Sequence, residues 1–223
     1  IGQLRGRTVD YSYDGLNRLL REDITDGVGG DRSFDYGYDL VGNRLFRDDS
    51  LLGRTDYLYD DNHRLSQTTS NADITNFTYD DNGSILQRGG ITYDWVNDGE
   101  NRLVGVNDGS TQVNYEYDGF GNRVASIVDG VQTNYLVDSA LALPQVRLEY
   151  DPAGSVTTEY FRGLGLVSAD DPQGRSFFHS DGLGSTRLLT DATGAVTDRV
   201  NYDAYGVLLP DSVGATDETP YLF

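Results

Sequence analysis

Tyr117-Asp118-Gly119-Phe120-Gly121-Asn122-Arg123-Val124 is the fullest copy of an arrangement that recurs through the chain: an aromatic residue, an aspartate, a Gly/Asn-rich turn, then a basic–apolar pair. Upstream of the aspartate, Val113, Tyr115 and Tyr117 alternate with polar residues. A period of two in β-branched and aromatic residues describes a strand with one covered face. Asp118 then opens a turn in which its carboxylate accepts backbone N–H groups two residues on, and the following Gly or Asn takes the positive φ such turns need. A second strand starts at Arg123, so the unit is a β-hairpin with a loop built round a type I turn.

The same unit is found at Tyr13-Asp14 with Arg18-Leu19, at Tyr38-Asp39 with Arg44-Leu45, and at Tyr59-Asp60 with Arg64-Leu65. Tyr79-Asp80 keeps the frame without the Arg, and Tyr93-Asp94 opens a longer turn that ends at Arg102. Later copies, at Tyr150-Asp151, at Asp181 with Arg187, at Asp191 and at Tyr202-Asp203, are degraded. Period-two alternation precedes the early copies too, as in Val9, Tyr11, Tyr13 and in Phe34, Tyr36, Tyr38. Hairpins repeated every 20 to 25 residues predict an all-β fold, a spirally wound antiparallel sheet forming a shell or solenoid-like barrel segment. No window combines a helical period with capping signals. The spacing loosens after Ala140, so residues 1–137 read as regular hairpins and 138–223 as variant repeats of the same sheet.

The chain carries 17 basic and 36 acidic side chains, for a net charge of −19. Phosphate backbones are bound by surplus Lys and Arg, so nucleic acid is not an expected partner. Every basic residue is Arg, which excludes lysine Schiff bases and P-loops. Cys is absent, and His63 and His179 are the only imidazoles. No apolar run reaches the roughly 18 residues of a membrane span. The chain opens on Ile1 and contains no Met, which suggests a processed or excised part of a longer polypeptide.

Asp-rich turns such as Asp60-Asp61-Asn62 and Asp80-Asp81-Asn82-Gly83 invite a calcium reading, but neither matches an EF-hand loop. Turn chemistry accounts for these aspartates, and no cofactor is expected. The Arg of each unit is expected to pair with the Asp or Tyr of an adjacent unit, and the Tyr ladder to pack across strands. His63 reads as an exposed turn residue, His179 as a replacement for a strand-end aromatic, and Trp95 as part of the long turn. No pair of carboxylates stands out among the 36 acids as a catalytic pair, and no enzyme activity is expected.

These units resemble the YD repeats of RHS-type proteins. The stretch Phe177-Phe178-His179-Ser180-Asp181-Gly182-Leu183-Gly184-Ser185-Thr186-Arg187-Leu188, with Tyr202-Asp203-Ala204-Tyr205-Gly206 and Pro220-Tyr221-Leu222-Phe223, resembles the start of the RHS repeat-associated core. The resemblance implies a β-sheet wound into a hollow shell, which in polymorphic toxins, toxin complexes and teneurins encloses a C-terminal segment or serves as an extracellular scaffold. It implies neighbouring repeats as partners, a C-terminal toxin enclosed in cis, and an extracellular or cell-surface location. The aspartate-based autoproteolysis site of bacterial members follows the Pro-Tyr-Leu-Phe segment. Asp151-Pro152 and Asp171-Pro172 lie outside that context and are not assigned to it. Two other readings stay open: a processed repeat subunit that self-assembles by strand addition into a fibre or adhesin, and a cell-surface module whose exposed Tyr and Trp95 bind glycan.

Overall fold

A computed structural model describes residues 7–25, 30–96, 99–140, 143–210 and 212; Pro220-Tyr221-Leu222-Phe223 lies outside them. The described residues form 19 strands and no helix, so the all-β prediction holds. Contacts divide the chain into two compact units, residues 1–94 and 95–223. The first is built from β1 (Thr8–Tyr13), β2 (Leu19–Thr25), β3 (Arg32–Tyr38), β4 (Arg44–Asp49), β5 (Gly53–Tyr59), β6 (Leu65–Ser70), β7 (Asp73–Tyr79), β8 (Ile85–Arg88) and β9 (Ile91–Trp95). The second holds β10 (Leu103–Asn107), β11 (Gln112–Tyr117), β12 (Arg123–Val128), β13 (Val131–Asp138), β14 (Gln145–Tyr150), β15 (Val156–Arg162), β16 (Leu166–Asp171), β17 (Gly174–Ser180), β18 (Thr186–Thr190) and β19 (Val196–Arg199). Within each unit every strand pairs antiparallel with the next. The 137/138 boundary read from spacing falls within the last residues of β13, next to a register shift between Leu136 and Val137 in its pairing with β14.

One turn is copied at Asp14, Asp39, Asp60, Asp80, Asp118, Asp151, Asp181, Asp191 and Asp203. In each, the aspartate carbonyl accepts the N–H of the third residue on, and the aspartate N–H donates to the carbonyl of the fourth. The third residue always has positive φ: Asn17, Gly42, His63, Gly83, Gly121, Gly154, Gly184, Gly194 and Gly206. This is a type I turn closed by a left-handed residue. His63 therefore occupies the position that Gly holds in seven other copies. Histidine is one of the few side chains that tolerate that region.

A second irregularity is equally constant. The residue before the aspartate pairs with the fifth residue after it, and the sixth is skipped by the register, as in Tyr38↔Arg44 followed by Gly37↔Phe46. The same bulge recurs at β1/β2, β5/β6, β7/β8, β11/β12, β14/β15, β17/β18 and β18/β19. It flips the alternation of every second strand by one residue relative to simple continuation.

The first unit buries Leu19, Ile24, Phe34 and Tyr36 together with Glu22, Arg32 and Asp49. The guanidinium groups of Arg32 and Arg47 lie over the Phe34 ring, at 5.0 and 4.6 Å from its centre, and Arg32 makes a bidentate pair with the Asp49 carboxylate. The core of the second unit is Tyr160, Ala169, Phe178, Leu189, Val200 and Tyr202. Two expectations are corrected. β1 has no buried residue, leaving Tyr11 and Tyr13 exposed, so its aromatic face is not covered. Tyr93-Asp94 does not open a turn: Ile91, Tyr93 and Trp95 continue the alternation to the end of β9, and the turn begins at Val96, whose N–H donates to the Arg102 carbonyl.

The turn geometry separates two glycines two positions from each other. Gly121 has φ +82°, and a Cβ there would make only an ordinary contact with the Glu100 carboxylate at 3.9 Å, whereas Gly119, in open space, lacks positive φ. Gly121→Ala is expected to destabilise the chain by about 1 kcal/mol through left-handed strain alone. Gly119→Ala should be neutral or stabilise slightly through the unfolded chain. Urea unfolding of the two variants checks this, and equal midpoints would contradict it.

Candidate functional site

The feature that repeats with chemical detail is the joint between one hairpin and the next. It starts at the turn aspartate. Asp60 Oδ1 accepts the N–H groups of Asn62 and Arg64 at 2.9 Å each, and Asp118 Oδ1 does the same for Phe120 and Asn122. The other oxygen binds the side chain four residues on, Arg64 in one case and Asn122 in the other. Arg18 on Asp14 and Asn43 on Asp39 repeat the two versions. The backbone bond from Arg64 leads the effects that hold the Asp60 carboxyl below the usual carboxylate range. At Asp118 the Asn122 amide leads.

The repeat arginines fall into two sets because the turn frame is constant while the motif length is not. At the fourth position after the aspartate, Arg18 and Arg64 pair with their own turn and lie over the tyrosine of the following unit, Tyr38 at 5.1 Å and Tyr79 at 4.9 Å. Their Nη1 groups donate to the carbonyls of the next turn aspartates, Asp39 and Asp80. The carboxylate partner of the arginine is thus in its own unit, and the aromatic partner is in the next. In the longer copies Asn takes the fourth position and Arg moves to the fifth. Arg44 then lies over Tyr36 and Tyr57, and Arg123 over Tyr115 and Tyr135. Arg187 occupies the bulge position, from which it reaches both Asp181 and the Tyr202 ring. Arg102 lies over Tyr117 and pairs with Glu100.

Four strand-end tyrosines close the joint from the other side. The hydroxyls of Tyr38, Tyr59, Tyr79 and Tyr117 donate to the backbone carbonyls of Leu19, Arg44, Leu65 and Leu103, at 2.6 to 2.9 Å. In the first three joints that carbonyl belongs to the fifth residue of the preceding turn, the one facing the preceding tyrosine in the register. Burial pushes the phenols of Tyr59, Tyr79 and Tyr202 up. A ring covered by an arginine with its hydroxyl tied to backbone has little free face for a sugar. Tyr150-Asp151 and Tyr202-Asp203 keep the turn, and Asp203 Oδ1 accepts from Tyr205 and Val207. Tyr13, which has no preceding hairpin among the described residues, is the exposed member of the series.

His63 Nδ1 lies 3.0 Å from the Asn43 amide of the preceding turn, and His179 Nε2 lies 3.0 Å from Thr190 Oγ1. Asp151-Pro152 and Asp171-Pro172 both begin hairpin turns. No three His, Asp or Glu side chains among the described residues are grouped to hold a metal ion. The buried Arg32–Asp49 pair lies outside the repeat motif and is not apparent from it. Its one signal in the sequence is Asp49 four residues before Gly53, which has φ +86°.

The turn, the bulge and the Tyr–Arg joint recur along the chain, and the family model for the teneurin YD-shell matches residues 3–217. The chain belongs to the teneurin YD-shell family. Its YD-shell relatives include the tRNA3(Ser)-specific nuclease WapA of Bacillus spizizenii, 30% identical over 92% of this chain and 9% of that protein. Teneurin-3 of Mus musculus is 24% identical over 92% of this chain and 8% of its own length. This YD-shell chain therefore spans under a tenth of the curated relatives it matches. Among solved structures it is similar to the crystal structure of TcdB2-TccC3-TEV, with 16% identity and a TM-score of 0.41 over 90% of this chain and 15% of that one.

Two outcomes follow from the joint. Tyr117→Phe removes the hydroxyl bond to Leu103 and should cost about 1 kcal/mol, with unfolding in urea as the measurement. The turn carboxylates Asp14, Asp60, Asp118 and Asp191 have folded values depressed below 3.8. Their contribution is complete above that unfolded value and is lost as pH falls through the depressed folded values. The urea midpoint should stay flat through neutral pH and fall in the acid range, with a smaller fall for Asp60→Asn. A midpoint independent of acid pH would overturn the capping role.

Proposed function

We propose that the chain is a stretch of non-enzymatic wall in an extracellular YD-repeat shell or scaffold, one that encloses a C-terminal toxin of the same polypeptide. The observation that carries this reading is the joint: in the regular copies, the arginine held by its own turn aspartate and the strand-end tyrosine fasten one repeat to its neighbour. In this reading Tyr13, Asp14, Arg18 and their counterparts through Asp203 are structural, the partners are neighbouring repeats and the enclosed cargo, and no resident cofactor is needed. The nuclease name belongs to a relative that this chain matches over 9% of its length, and it is not carried over to these residues. None of the described residues form a helix long and apolar enough to cross a membrane.

Strand addition into a fibre is the second reading, favoured by the exposed Tyr11 and Tyr13 on β1. Electron microscopy of the polypeptide that carries this chain, with limited proteolysis of its C-terminal segment, separates the two. Closed particles with a protected segment are the expected result. Uniform filaments, or a segment digested as fast as free peptide, would replace the shell with the fibre.

A further inference from the structure

The second unit carries a depression of about 370 Å³ on one face of β14 to β19. The register pairs Tyr160 with Ala169, Phe178 with Leu189, and Leu189 with Asp198, so partners in each pair project to the same side. Its lining combines this apolar row with four carboxylates: Glu149, Asp171, Asp191 and Asp198.

Three of those acids are engaged. Glu149 accepts the Tyr160 hydroxyl at 2.8 Å. Asp171 accepts the N–H groups of Gln173 and Gly174, and Asp191 accepts the N–H and hydroxyl of Thr193 and the N–H of Ala195. Arg175, the one base in the lining, is held by both oxygens of Asp170 and lies over the Phe161 ring. Asp198 is different. It is only 7% exposed, it lines the depression, and its carboxylate has no hydrogen bond or ion pair among the described residues. Its oxygens are not among the buried polar atoms left without a partner, so they open onto the depression, where a cation can pair with them. Metal-ligand grouping is absent among the described residues, and the register neighbour of Asp198 is Leu189, a chemistry suited to a charge carried on an alkyl stem.

We propose that this face binds an alkyl guanidinium or ammonium, with the cation on Asp198 and the stem along Leu189 and Phe178. The acids at the rim raise the local concentration of cations. The ligand is either a free amine or guanidine, or the basic side chain of an extended polypeptide. The site does not require that the wall close into a shell.

Isothermal titration of the 223-residue chain with agmatine, with an acetylated and amidated Gly-Gly-Arg-Gly-Gly peptide, and with neutral butylurea tests the proposal. Agmatine or the peptide should bind and butylurea should not; tighter binding of the peptide assigns the site to a polypeptide segment, and of agmatine to a free cation. Asp198→Asn should weaken binding by about tenfold or more. Should that variant fail to fold, wild-type NMR decides: agmatine must shift the Leu189 methyl and Asp198 amide resonances and leave Leu65 unmoved. No binding of either cation at ~10 mM, equal binding of butylurea, unchanged affinity in Asp198→Asn, or shifts confined to other residues would each overturn the site.

Discussion

The structure depends on an aspartate carboxylate that accepts two backbone N–H groups of the turn it opens. At Asp14, Asp60 and Asp118 one oxygen holds the second and fourth residues after it. This bond fixes where the left-handed residue falls and where the next strand begins. Strand register in a sheet is otherwise free to slip by one residue, and a slip would send every side chain to the opposite face. Nine copies of one capped turn remove that freedom, and the bulge after the turn sets the phase of the following strand.

Once the phase is set, the remaining oxygen and the strand-end tyrosine complete the fastening. Arg18 and Arg64 span from their own aspartate to the ring and turn of the next hairpin. The tyrosine hydroxyl returns to the backbone of the hairpin before it. Each contact is modest, since aromatic, cation–π and hydroxyl bonds contribute on the order of 1 kcal/mol apiece. Repetition supplies the total, in the manner of a quasi-one-dimensional array. The same arrangement explains a chain of −19 charge with no Lys at the joints: carboxylates stand where turns need acceptors, and the planar guanidinium can bond a carboxylate and cover a ring at once. Asp198 departs from this economy of partners, which is why it points to a ligand.

Much of the fold is legible in the residues. Alternation before each Tyr-Asp pair marks the strands, and Asp followed by Gly or Asn marks the turns. Alignment of the copies on their Arg hides the two sets, because Arg18 and Arg44 look equivalent although the fixed turn frame places them at adjacent positions. Tyr93-Asp94 is deceptive for the opposite reason: the motif is present, and the strand continues past it to Trp95. Gly37 is equally silent in the sequence, yet a Cβ there would meet the Phe46 ring across the strand pair.

The sequence by itself determined the class of structure, since strand period, turn chemistry and repeat length are local properties of consecutive residues. Only the tertiary structure decided which side chains meet. The bulge changes side-chain parity at each Asp-capped hairpin, so the burial of Arg32 against Asp49 and of Asp198 beside Leu189 depends on registers between strands. Those registers are set by backbone hydrogen bonds, to which all residue types but proline contribute alike, and so they leave little mark in composition or periodicity.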